Sequence, residues 1–174
     1  MRVAVTGTPG TGKTTATERL DTALDLVHLN AVIEAEGLTA GTDEERGSWI
    51  ADLDAVAEWL DGRNDVVVES HLAHCFDADR VVVLRCRPDV LERRLLDRGE
   101  TAAKARENAE AEALDVVLAE AVEEHGESSV YEIDTTDDDP DAVANEIEAV
   151  LDGDREPSAG TVSFIDYLDA PEGA

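Results

Sequence analysis

The sequence predicts an α/β protein of the P-loop nucleotide-binding type, with a five-stranded parallel sheet and helices on both faces. Three observations predict it. The short valine-rich runs Arg2–Thr6, Asp65–Glu69 (DVVVE) and Arg80–Leu84 (RVVVL) have the length and apolar continuity of strands buried on both sides. Stretches of helical period separate the strand signals, as a parallel sheet with crossover helices requires. After the first strand stands Gly7-Thr8-Pro9-Gly10-Thr11-Gly12-Lys13-Thr14, a complete G-x-x-x-x-G-K-[ST]. Its glycines let the backbone turn with N–H groups inward, where they cradle phosphates, and the helix that follows adds its dipole. In this pattern the lysine, Lys13, reaches the β/γ-phosphates and the hydroxyl of Thr14 is a ligand for Mg²⁺. A glycine-rich turn with no ligand is the competing reading. The full pattern between a strand and a helix argues for a bound nucleoside triphosphate.

The remaining elements follow in order. Thr15–Leu24 reads as the first helix and Leu26–Leu29 as a weak second strand. Asn30 is placed to cap a short helix, Ala31–Glu36, closed by Gly37. Leu38–Ser48 is polar and reads as a mobile loop. Ile50, Leu53, Val56, Ala57 and Leu60 recur at helical spacing, predicting a helix over Trp49–Leu60. Beyond the third and fourth strands, Leu91–Arg98 is a helix carrying Arg93, Arg94 and Arg98. Thr101–Glu124 reads as one long helical region, with Leu114, Val117, Leu118 and Ala121 on a face. Ser129–Ile133 is the fifth strand, and Asp139 and Pro140 open a last helix through Leu151. Residues 1–151 are expected to form one domain, and 152–174 an acidic, partly disordered tail. Its apolar members Val162, Phe164, Ile165, Tyr167 and Leu168 either dock on the body or meet a partner.

Charge narrows the function. The 174 residues carry 42 acidic and 14 basic side chains, a net charge of −28. Nucleic-acid binding through a broad basic face is not expected, because neutralising phosphates takes clustered Lys and Arg. Lys13 is one of only two lysines, the other being Lys104. So acidic and lysine-poor a surface suits a salt-rich cytoplasm, where ions screen self-repulsion. Cys75 and Cys86 match no metal spacing and read as free thiols of a reducing compartment. No secretory leader pattern opens the chain and no apolar run is long enough for a membrane span, so a soluble, cytoplasmic protein is expected.

Ligands of such sheets lie at the carboxyl ends of the strands, which brings Glu69, Ser70 and His71 beside the phosphates. Glu69 is the candidate second oxygen ligand for Mg²⁺, directly or through water. His71 either positions a nucleophile and relays a proton, or is a satisfied structural residue. His28, His74 and His125 lack that placement and read as structural. Arg94 and Arg98 stand four apart and share a helix face. They either neutralise a phosphoryl group or pair with neighbours such as Glu92 and Asp97.

No N-K-x-D or D-x-x-G of a GTPase is present. The loop G-T-P-G-T-G-K-T-T together with R-L-L-D-R-G resembles the nucleoside monophosphate kinases. V-V-V-E-S-H, V-V-V-L-R and R-L-L-D-R-G…K-A-R-E-N-A-E-A-E-A-L-D-V resemble one branch of them. That branch is the archaeal and eukaryotic adenylate kinase-like ATPase family of small ribosomal subunit maturation. The resemblance covers residues 1 to 151 and implies transfer from ATP to AMP or another monophosphate. It implies that Gly10, Gly12, Lys13, Thr14 and Thr15 bind ATP, with Arg98 on ATP and Arg94 near its base or phosphates. Lys13, His71 and Arg98 would be catalytic, and Thr14 and Glu69 would hold the metal. A monophosphate arm would span about 30–53 and a lid about 98–108. The implied partners are universal small-subunit ribosomal protein eleven and, transiently, the subunit precursor, with a role in 16S rRNA processing. Two departures stand out. The family's third strand usually ends Asp-x-His, where this chain has Glu69 and His71. The family arm often carries an arginine where this chain has Glu34, and Arg46 is the nearest replacement. A small-metabolite kinase of the shikimate or gluconate type, and an ATP-switched assembly factor with little turnover, are the competing functions.

Overall fold

A computed structural model describes residues 1–43, 48–137 and 139–169. In chain order the elements are β1 (Arg2–Thr6), α1 (Lys13–Thr17), β2 (Asp25–His28), α2 (Leu29–Glu36), β3 (Thr39–Asp43) and β4 (Ser48–Ala51). Then come α3 (Leu53–Leu60), β5 (Val66–Glu69), β6 (Arg80–Arg85), α4 (Pro88–Asp97), α5 (Ala102–Ala113), α6 (Val116–His125), β7 (Val130–Asp134) and α7 (Pro140–Asp152).

Five strands form one parallel sheet in the order β2-β5-β1-β6-β7. Side chains alternate across it, so the valine runs feed two cores. Ala4, Val68 and Val83 pack with Leu29, Ile33, Val56, Leu60 and Leu118 on one face. Val3, Val5, Val67 and Leu84 pack with Ala16, Val143, Ile147 and Val150 on the other. A third cluster, Cys86, Leu91, Leu95, Ala105 and Ala109, joins α4 to α5. With β1 central, its carboxyl end opens into the phosphate loop between the ends of β5 and β6. Among the described residues no helix is long and apolar enough to cross a membrane.

The structure departs from the sequence expectation at five places. Helix α1 stops at Thr17, well short of Leu24. The Thr17 hydroxyl bonds back to the carbonyls of Lys13 (3.0 Å) and Thr14 (3.2 Å), and Arg19 reaches the Thr15 carbonyl at 2.6 Å, so side chains compete with the helix ladder. Helix α2 begins at Leu29 with His28 as its N-cap, and Asn30 instead accepts a bond from the Ser70 hydroxyl at 2.7 Å. The polar stretch after Leu38 forms an antiparallel hairpin, in which Thr42 pairs with Trp49 and Gly41 with Ile50. Trp49–Ala51 is therefore strand, and the helix starts only after Asp52, whose carboxylate accepts from the Ala55 N–H at 3.1 Å. The long helix over 101–124 is broken at Asp115, which takes φ +55°. Its carboxylate binds Arg85, and the break leaves Leu114 exposed.

The segment after α7 follows the β7 edge of the sheet. Ser158 N–H donates to the Val130 carbonyl at 3.0 Å and Thr161 N–H to a Glu132 carboxylate oxygen at 2.8 Å. The Tyr167 hydroxyl donates to Glu92 at 3.2 Å. Edge groups that would otherwise face solvent are thereby covered.

Candidate functional site

The loop between β1 and α1 needs its glycines for different reasons. At Gly7 (φ +141°) a Cβ would stand 2.4 Å from the Leu84 carbonyl oxygen. At Gly12 (φ +91°) nothing crowds a side chain, but the residue caps α1 in the left-handed region, which costs other residues strain. With α1 only five residues long, its dipole is smaller than the sequence pattern suggests, and the charge falls to side chains. Lys13 is the nearest. It is buried, and its ammonium donates to the carbonyls of Gly7 (2.7 Å) and Thr8 (3.1 Å). Burial lowers its pKa to about 8, against the opposing pull of Glu69 and Glu112 and with a further push from Arg98.

Gly10, Gly12, Lys13, Thr14, Thr15 and Arg98 surround a small cavity of about 80 Å³. It adjoins a larger one of about 380 Å³, which shares Gly10, Gly12, Thr15 and Arg98 and adds Thr11, Arg94, Thr135 and Pro140. The larger is in the size range of small-ligand sites. Arg94 and Arg98 play different parts in it. Arg94 donates to the carbonyls of Thr135 (2.8 Å) and Thr136 (3.1 Å), and so braces the loop after β7. Arg98 follows the last residue of α4 and is exposed; its backbone N–H closes the helix on the Leu95 carbonyl (3.2 Å), and its guanidinium makes no hydrogen bond or ion pair among the described residues. Neither pairs with Glu92 or Asp97.

At the end of β5, Glu69 is buried and accepts from the Thr14 hydroxyl at 3.2 Å. The same Glu69 oxygen lies 2.9 Å from His28 Nδ1. Two adjacent oxygen donors, one a carboxylate, fit a hard cation such as Mg²⁺ bound together with phosphates. Among the described residues no group of three or more His, Cys, Asp and Glu could hold a metal unaided. His71 is exposed two residues beyond Glu69, with no hydrogen bond to its ring among the described residues. Loss of hydration lowers its pKa first, and Lys13 and His74 lower it further. His74 and His125 are structural: His74 joins the Thr6 hydroxyl (2.8 Å) to Glu120 (3.0 Å), and His125 bonds the His74 carbonyl (2.8 Å). His28, expected to be structural, touches the candidate metal carboxylate instead. Its place as the last residue of β2, level with Glu69 in the neighbouring strand, was the available signal.

Other residues escaped sequence reasoning entirely. Glu112, in an acidic run, reaches the phosphate loop at the Thr8 hydroxyl. The Thr135 hydroxyl lies 2.9 Å from the Thr11 carbonyl. Glu34 is exposed on α2, and Arg46 lies outside the described residues. Cys75 and Cys86 are both free thiols.

Fold and loop together define a P-loop protein with the kinase fold. Two solved structures share it: shikimate kinase from Bacteroides thetaiotaomicron (TM-score 0.54, 19% identity, 87% of this chain and 98% of that one) and a sugar kinase from Janibacter sp. (TM-score 0.55, 22%, 87% and 94%). Residues 3–115 match the family described as AAA domain. Over 97% of this chain and the whole of the relative, it is 70% identical to a protein of Natronomonas pharaonis named "Putative adenylate kinase". It is 65% identical, with the same coverage, to its namesake in Halobacterium salinarum. A third namesake, from Methanothermobacter thermautotrophicus, is 42% identical over 95% of this chain and 98% of its own length. The chain belongs to the AAA-domain family and to the family of these relatives.

Proposed function

We propose that the protein is a nucleoside monophosphate kinase of the adenylate kinase type, which transfers the γ-phosphoryl of ATP to AMP or a related monophosphate and also hydrolyses ATP. The observation that carries the proposal is the convergence of Lys13, Thr14 and Arg98 on one small cavity beside a larger one able to hold a nucleoside. In this reading the loop N–H groups and Lys13 take the β/γ-phosphates, and Lys13 exchanges two carbonyls for phosphate oxygens. Arg98, at the start of the 98–108 lid, turns its exposed side chain over the γ-phosphoryl, and Arg94 keeps the loop after β7 in place beside the base. Thr14 and Glu69 would hold Mg²⁺, which would screen the charge of the phosphate oxygens. His71, whose pKa is lowered by loss of hydration and by Lys13 and His74, accepts or positions the attacking group. The acceptor enters over the arm built from α2 and the β3/β4 hairpin.

Production of ADP from ATP plus AMP, measured beside ATP alone, tests the proposal. Turnover with AMP should exceed hydrolysis, and Lys13→Ala should remove both, on the order of 10²–10³-fold or more for a lost phosphate cation. Equal rates with and without AMP, or a Lys13→Ala variant near wild type, would overturn it.

A second reading adds an assembly role to the same ATP cycle. Trp49 (64% exposed) and Ile50 (50%) stand out on the hairpin of an otherwise acidic protein, which favours an arm that docks on a basic partner. The family resemblance names universal small-subunit ribosomal protein eleven and maturation of 16S rRNA. High identity to relatives from Natronomonas and Halobacterium, with the net charge of −28, supports a salt-adapted cytoplasmic protein.

A further inference from the structure

The proposed transfer uses none of the charges behind the phosphate loop, yet they form a continuous path to it. Arg85 ends β6 and is 1% exposed. Its Nε donates to Glu112 at 2.8 Å, one terminal nitrogen to Glu132 at 2.5 Å and the other to Asp115. Glu112, 3% exposed, uses one carboxylate oxygen for Arg85 and the Cys86 N–H (3.1 Å) and gives the other to the Thr8 hydroxyl. On the far side Glu132 accepts the N–H of Thr161 at 2.8 Å, and the Phe164 ring lies 5.5 Å from the Arg85 guanidinium. The Arg85 carbonyl in turn takes the Thr135 N–H at 2.8 Å, and the Thr135 hydroxyl lies between that carbonyl and the Thr11 carbonyl, 2.9 Å from each.

Burying one guanidinium among three carboxylates costs desolvation that well-packed apolar residues would avoid. Such a cluster contributes most where it fixes a position. Here its end point is Thr8, whose carbonyl is one of the two that hold Lys13. We propose that Glu112, anchored by Arg85, is a positioning residue of the phosphate loop: it holds Thr8 so that the loop stands ready for phosphates. The proposal rests on the reading of this loop as a nucleotide site. Without the Glu112 bond, the loop would have to order itself as ligand arrives, and affinity would fall by that cost.

The test compares Thr8→Val, which keeps the shape and loses the hydroxyl, with Thr8→Ser, which keeps the hydroxyl. Dissociation constants for ADP and ATP are read by calorimetry, KM and kcat by turnover, and folding by urea titration. Loss of a charge-assisted bond should raise both dissociation constants and KM for ATP about tenfold in Thr8→Val. The change in kcat should be smaller, and Thr8→Ser should stay near wild type. Glu112→Gln should weaken binding in the same direction, and combined with Thr8→Val should add less than its separate effect. Should Thr8→Val fail to fold, Glu112→Gln carries the same comparison alone. A lower urea midpoint with unchanged dissociation constants would assign Thr8 and Glu112 to stability only and overturn the proposal. Wild-type protein that binds neither nucleotide would instead overturn the reading of the site.

Discussion

The two sides of the proposed site, donor and acceptor, are built by opposite means. On the donor side, phosphate loop, β6 and α5 are tied together by buried charges, and even exposed Arg98 directly follows a helix packed in a core cluster. On the acceptor side, the β3/β4 hairpin offers Trp49 and Ile50 to solvent and is held to the body mainly through Leu38, Ala51 and the start of α3. Phosphate chemistry at the donor site needs donors fixed before substrate arrives, since preorganised charge costs no rearrangement at the transition state. An arm that in the proposed function would admit a second substrate, and in the second reading a protein, needs the opposite. The difference teaches where stability was invested and where motion is cheap.

The sharpest way to break this contrast is Arg85→Ala. It takes from the buried Glu112 and Glu132 the guanidinium that both are bonded to, which should cost about 3–5 kcal/mol of stability. A urea titration checks it, read alongside nucleotide affinity. A loss below about 1 kcal/mol would mean that water enters and rehydrates both carboxylates, and the donor side would be no more rigid than the arm.

How much of this was legible in the sequence follows the same divide. The strands β1, β5 and β6 and the phosphate loop are local signals: valine runs, and glycines with a lysine at fixed spacing. The loop's supports are not local. Glu112 sits in K-A-R-E-N-A-E-A-E-A-L-D-V among three other acids, and only its bonds to Arg85 at the end of β6 and to Thr8 single it out. Asp115 breaks a stretch of good helix formers because Arg85 draws its carboxylate inward, a tertiary effect that propensity does not contain. In the arm the error ran the other way. Ile50 and Leu53 fit a helical period with Val56 and Leu60, yet Ile50 belongs to a strand and Leu53 is an exposed first-turn residue. Asp52 was the overlooked cue, a capping residue that marks where the true helix starts.

A middle-sized effect tests the electrostatics of the donor side through pH. In the ligand-free protein Lys13 has its pKa lowered to about 8, below its unfolded value, so the buried cation weakens folding at neutral pH. That penalty lifts as pH rises through 8 toward the unfolded value. Phosphates favour the ammonium and raise its pKa again. Nucleotide binding should therefore take up a proton above pH 8 and lose about fivefold in affinity between pH 8 and 9. Calorimetry in two buffers of different ionisation enthalpy measures the uptake. The proton signal should be absent at pH 6.5 and absent at all pH values in Lys13→Ala. Uptake that persists in Lys13→Ala would assign the proton to another group.

The smallest effect belongs to the arm. Trp49 pairs with Thr42 in the hairpin register and otherwise faces solvent, so its ring contributes little to the folded state. Trp49→Ala should change unfolding free energy by less than about 0.5 kcal/mol, the usual range for an exposed site. Nucleotide affinity at the phosphate loop should stay at wild-type level, because no bond in the path from Arg85 to Thr8 involves the arm. The residue should matter only where a second molecule meets it. The monophosphate concentration at half-maximal rate should rise, and, in the second reading, capture of the basic ribosomal protein in molar KCl should fall, since at that salt apolar contact outlasts charge steering. If Trp49→Ala instead lowered the urea midpoint as far as Arg85→Ala, the hairpin would be part of the folding core, and the arm could not move independently of the donor side.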